Sequence, residues 1–159
     1  MRSKESDPEK DALQRGLRFL GYRPRSEAEV QNYLVRQGYS IAVAERTLEK
    51  LRSLNYLNDE KFARNWARFR SESRSYGPKR IEQELRTKGI GQALIREAVG
   101  EAFGQGDEAE KAKLLLEKKF KNKKFDDVKI LRRAAAFLQR RGYSNKVIVD
   151  LLKHPIEDD

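Results

Sequence analysis

The sequence predicts an all-α protein of three tandem three-helix repeats, forming an elongated array free to curve. Three observations predict it. A Leu-x-x-x-Gly step followed by an aromatic or aliphatic residue occurs three times, at Leu34 to Tyr39, Leu85 to Ile90 and Leu138 to Tyr143, with offsets of 51 and 53 residues. Strand signals are missing, since the one β-like run, Val147-Ile148-Val149, falls inside the third copy of a helix. Of the 159 residues, 38% are hydrophobic and 38% are charged. That is too little apolar material for one thick core, and enough for small cores between thin helical layers.

The first repeat, residues 1–57, starts with a polar, frayed segment. Asp7-Pro8 opens a helix bearing Leu13, Leu17 and Leu20. Ser26-x-x-Glu29 is a capping box for the second helix, and Ser40 caps a third, striped by Ile41, Ala44, Leu48 and Leu51. The second repeat spans 58–106. Asn58 is an N-cap with Asp59 and Glu60 placed against the positive helix start. Phe62, Trp66 and Phe69 then follow at i, i+4, i+7, which predicts core packing for all of them. Gly77-Pro78 opens the next helix, because proline suits the first helical position. Ile81 and Leu85 continue the stripe to Gly89, a left-handed helix stop. Gly91 begins a helix carrying Leu94, Ile95, Ala98, Val99 and Ala102, and Gly104-Gln105-Gly106 is a flexible joint.

The third repeat, 107–159, opens at Asp107-x-x-Glu110 with Ala112, Leu115 and Leu116 inward. Asp126 or Asp127 caps a helix with Leu131, Ala134, Ala135 and Leu138. Ser144 precedes the last helix, and a short acidic tail ends the chain. Ala44 and Leu48 align with Ile95 and Val99, and again with Ile148 and Leu152. Tyr39 and Tyr143 occupy equivalent places as packing residues after a helix stop.

One stretch carries a resemblance. Leu57-Asn58-Asp59, Phe62-Ala63, Gly77-Pro78, Ile81 to Leu85 and Lys88-Gly89-Ile90, in that order and spacing, resemble the central signature of the RecX family. The resemblance implies modular helical repeats, and a regulator that suppresses the ATPase and strand exchange of the RecA recombinase. It implies a place along the groove of the RecA–single-stranded DNA filament, and through RecA a connection to homologous recombination, DNA repair and the SOS response.

Several chemistries find no support in the residues. Without cysteine there is no disulfide, thiol catalysis or cysteine-based zinc site, and a reducing, cytoplasmic setting is expected. No apolar run reaches membrane-span length, and the opening residues show no signal-peptide pattern, so no leader is expected. His154 is the only histidine and suits the carbonyls of a helix end better than a metal. Gly100, Gly104 and Gly106 lack the Lys-Ser/Thr and the preceding strand of a phosphate loop. Glu82 and Glu84, two apart, point to different helix faces. The expectation is a non-enzymatic, cofactor-free, metal-free monomer.

The net charge is +10, divided +3, +3 and +4 among the three repeats, so it is spread along the chain and fits a polyanionic partner. Arg64, Arg68, Arg70 and Arg74 leave the apolar face of the fourth helix, and Lys79, Arg80, Arg86 and Lys88 decorate the fifth. Glu72, Glu82 and Glu84 are near enough to pair with some of them. As a group flanking a Gly-Pro turn, they form a candidate RecA- or DNA-binding face, with Tyr76 as its freest aromatic contact. Arg132, Arg133, Arg140 and Arg141 extend it into the third repeat. There Lys118, Lys119, Lys121, Lys123 and Lys124 make a basic knot, part of which serves the helix C-terminus. Roughly six neutralised phosphates would give a log–log salt slope of about −5 with no strong sequence preference. The competing reading is a sequence-specific helix-turn-helix regulator. The helix Asn145 to Lys153 is too apolar to read base edges well.

Overall fold

The computed structural model describes residues 7–153. Among them are nine α-helices and no strand: α1 (Pro8–Tyr22), α2 (Glu27–Arg36), α3 (Ile41–Ser53), α4 (Asp59–Ser73), α5 (Pro78–Thr87), α6 (Gln92–Ala102), α7 (Asp107–Lys119), α8 (Val128–Arg141) and α9 (Asn145–Lys153). The frayed start, His154 and the acidic tail lie outside the described residues.

The helix starts follow their caps. Asp7 accepts the Glu9 amide, Ser40 the Val43 amide and Asn58 the Lys61 amide. Ser26 and Glu29 form both arms of a capping box. Of the two candidate aspartates before α8, Asp127 is the cap, accepting from the Lys129 amide at 2.9 Å. Asp107 turns backward instead and accepts the Gly104 amide at 2.9 Å, closing the joint before α7. Gly89 has φ +76°, the left-handed stop its sequence position predicts.

Each repeat has its own core. Val30, Leu34, Ala44 and Leu51 are fully buried in the first, Ala63, Ala67, Ile81, Leu85 and Ile95 in the second, and Ala112, Leu116, Ala134 and Leu138 in the third. All extensive helix-on-helix packing lies within a repeat, closest between α4 and α6 and between α1 and α3. The accessible surface, 11214 Å², exceeds the roughly 8,200 Å² of a compact monomer of this mass.

Two expected core positions face outward. Phe69 is 54% exposed and Ile41 is 62% exposed. In α4 the buried arc is Phe62, Ala63, Ala67 and Ser71, centred on small residues that let α6 approach closely. That centre lies roughly 100° round the helix from Phe62 at 3.6 residues per turn. Phe69 therefore falls beyond the Phe62 edge of the arc, and Trp66 lies between Phe62 and Ala63, stacked on Phe62 with centroids 5.8 Å apart. In α3 the inward set is Ala44, Thr47, Leu48 and Leu51, with the Thr47 hydroxyl bonded back to the Val43 carbonyl at 2.8 Å.

Candidate polyanion interface

The repeats meet through one junction used twice, in which the N-terminus of one repeat's middle helix abuts the C-terminus of the next repeat's middle helix. At the first junction the buried Ser26 hydroxyl donates to the Lys88 carbonyl at 2.6 Å, and the Glu27 amide donates to Asp59 at 2.9 Å. A Cβ on Gly89 would collide with that of Ala28. Glu29 then gathers Arg23 at 3.0 Å, Arg25 at 3.6 Å and Lys88 at 3.6 Å. Burial pushes the Asp59 carboxyl upward and the Glu27 carboxylate adds to that, against the Glu27 amide and Arg52.

At the second junction the Gly77 amide donates to the Arg141 carbonyl at 2.7 Å and the Lys79 amide to the Gly142 carbonyl at 2.9 Å. A Cβ on Gly77 would lie 2.5 Å from the Gly142–Tyr143 backbone, so only glycine permits this approach. The Tyr143 hydroxyl donates to the Ser75 carbonyl at 2.9 Å, and the Arg141 guanidinium to the Arg74 carbonyl at 2.8 Å. Burial, reinforced by the Glu108 carboxylate and opposed by Arg141, pushes the Tyr143 phenol up to about 12. Lys111 spans the same junction, reaching the Ala102 carbonyl at 3.2 Å.

The structure divides the sequence-predicted cations into two groups. Arg64 pairs with Glu60 at 2.9 Å and Glu101 at 3.0 Å, Arg86 with Glu82 at 3.8 Å, and Lys88 with Glu29. Arg70 forks onto Glu84 at 2.5 and 3.1 Å. Arg74, Lys79, Arg80, Arg140 and Arg141 have no carboxylate partner among the described residues. They gather at the second junction. An open cleft of about 540 Å³ there is lined by Arg74, Tyr76, Arg80, Lys119, Phe137, Arg140 and Arg141, without a single acidic side chain. Arg68 bonds to Asn65 at 3.2 Å, and Arg68, Arg132 and Arg133 stand outside this cleft.

Tyr76 is not the free contact its loop position predicts. The Arg80, Arg70 and Arg141 guanidinium carbons lie 3.7, 4.7 and 5.7 Å from its ring centroid. Three arginines therefore crowd the half-buried ring. Two members of the cleft, Lys119 and Phe137, went unselected in the sequence. Lys119 stood in the basic knot, but nothing local distinguishes it from its lysine neighbours. The cleft holds four arginines and a lysine with no carboxylate among its lining, an arrangement suited to phosphate or carboxylate.

Three family models match the chain in order. They are the RecX first three-helix domain over residues 12–51, the second over 58–99 and the third over 106–152. The chain belongs to the RecX family. It is 32% identical over 153 residues to the Regulatory protein RecX of Mycobacterium sp. (strain JLS), covering 93% of this chain and 83% of that one. It is 35% identical over 144 residues to the Regulatory protein RecX of Syntrophotalea carbinolica, covering 89% and 94%. A crystal structure of regulatory protein RecX superposes with a TM-score of 0.76 at 27% identity, over 93% of this chain and 72% of that one. RecX from Lactobacillus salivarius shares the fold, with a TM-score of 0.80 at 22% identity over 93% and 96%. The Mycobacterium and Syntrophotalea relatives carry the name of regulatory proteins. No described helix here is long and apolar enough to cross a membrane.

Proposed function

We propose that this RecX-family chain is a non-enzymatic regulator that binds RecA and its single-stranded DNA filament. It inhibits RecA ATPase, filament growth and strand exchange by occupying the filament groove. The observation that carries the reading is the cleft at the second junction, with five cations and no carboxylate on a serial helical array. Acidic protein surface or DNA phosphate supplies the missing charge, without sequence preference, because the cleft offers charge and forks with no reader of base edges. No catalytic group or cofactor is needed for such an action.

The test is the single-stranded-DNA-dependent ATPase of the cognate RecA, titrated with this protein. Inhibition well below one protein per RecA protomer is the expected result, and the Arg140→Glu variant should need at least tenfold more protein. Arg140 is exposed, so the reversal leaves the cores intact. An ATPase rate unchanged at equimolar protein would overturn the reading, and a strong preference for one duplex in competition would favour a helix-turn-helix regulator.

A further inference from the structure

The two junctions are built on the same frame and differ in charge. At the first, Glu29 occupies the third residue of α2 and pairs with Lys88, which caps the C-terminus of α5. The 51-residue offset carries Glu29 onto Arg80, the third residue of α5, and the 53-residue offset carries Lys88 onto Arg141, at the end of α8. Where the first junction has an acid facing a base, the second has an arginine on either side. Both arginines lie against the one Tyr76 ring.

Resting on the reading of this cleft as a polyanion site, we propose that the second junction is an anion-locked joint. A multivalent phosphate ligand takes the place that Glu29 fills at the first junction and fixes the third repeat against the second. The cations of the cleft come from both sides, Arg74 and Arg80 from the second repeat and Lys119, Arg140 and Arg141 from the third. Like charges within a Debye length of about 8 Å repel, which favours parting of the repeats. The backbone bonds from Gly77 and Lys79, the Tyr143 bond to the Ser75 carbonyl and the bonds from Arg80 and Arg141 to the Arg140 and Arg74 carbonyls oppose that parting. A ligand with several phosphate oxygens neutralises both sides at once, and it makes its full set of contacts only when the joint is closed. Its binding therefore favours the closed joint, by an amount equal to its preference for that state. The array is then stiffest where it lies on its polyanion.

The Gly77 and Lys79 amides, bonded across the joint, report its opening, and the Glu27 amide, bonded across the first junction, is the control. Their hydrogen exchange is followed by NMR in the full chain, with and without inorganic tripolyphosphate, whose binding is measured separately by calorimetry. The expected result is about tenfold slower exchange at Gly77 and Lys79 and no change at Glu27. In the Arg80→Glu variant, which restores the acid–base pair of the first junction, those amides should be slow without the ligand and indifferent to it. Arg140→Gln, a change on an exposed side chain, should weaken the response while leaving the helical circular dichroism unchanged. Tripolyphosphate binding with unaltered Gly77 and Lys79 exchange would overturn the locked joint while leaving the polyanion site standing. Absence of binding by a chain that still inhibits RecA would overturn the joint and the cleft as its phosphate site, while leaving the regulation of RecA standing. Absence of both would remove the functional reading as well.

Discussion

Tyr143 shows how much one side chain can decide. It is 1% exposed, closes the third core and donates across the junction to Ser75. Its phenol is pushed from 10.0 up to about 12, so the folded chain holds that proton more tightly than the unfolded one. The stability this contributes is intact below pH 10 and is lost as pH rises from 10.0 through about 12. Tyr143→Phe should flatten that alkaline loss in pH-dependent urea melts, and should lower stability at neutral pH by about 0.5–1.5 kcal/mol through the missing hydrogen bond. An unchanged alkaline branch in the variant would assign the loss elsewhere. Asp59 has the same sign at the other end of the scale. Its raised pKa, caused first by burial, favours the folded state below 3.8, and that advantage fades as pH climbs through the raised value.

Among the elements, α2 has the most closely specified start. Ser26 accepts the Glu29 amide at 3.2 Å, donates to the Lys88 carbonyl at 2.6 Å and is wholly buried. Ser40 has only its cap bond, to the Val43 amide at 3.2 Å, and stands exposed. Ser40→Ala should cost about 1 kcal/mol of cap. Ser26→Ala should cost about 2–3 kcal/mol, because the part-buried Lys88 carbonyl of the neighbouring repeat also loses its partner. Denaturant melts of the two variants measure the difference, and equal losses would mean that the cross-junction bond adds nothing. The capping box at Ser26 and Glu29 was legible because caps are local: four consecutive residues contain both arms. The outward turn of Phe69 was not. A stripe at i, i+4, i+7 marks one helix face, but which residues lie at the centre of the buried arc depends on how closely a second helix comes. Ala63 and Ala67 draw α6 in, and the arc recentres on them.

At the level of the whole molecule, charge is shared evenly among repeats while uncompensated charge is not. In the first repeat and its junction, arginines meet Glu9, Glu27 and Glu29; the cleft of the second junction has no carboxylate. Binding to a single-stranded oligonucleotide through its five cations should give a log–log salt slope of about −3.5. Removing Arg80 and Arg141 together should reduce the slope by about 1.4 at roughly 0.7 per phosphate contact, whereas removing Arg64 and Arg86, which are already paired, should change it little. Fluorescence anisotropy between about 50 and 300 mM salt, a sixfold range, measures both. Equal effects from the two pairs would place the binding surface along the helices and not in the cleft.

The sequence by itself determined the helices, their caps and stops, the threefold repeat and the family, because each depends on residues within a turn or two of one another, or on the repetition of such local units. Tertiary structure decided which cations remain available. Arg64 in α4 and Arg74 at its C-cap stand ten residues apart and look alike in the sequence. Arg64 meets Glu101 from α6, while Arg74 has no carboxylate partner among the described residues and lines a cleft with Arg140 and Arg141 of the next repeat. The neutralising carboxylate or the facing arginine comes from a distant part of the chain, and the Coulomb energy of a pair depends on distance in space, which a linear pattern does not encode.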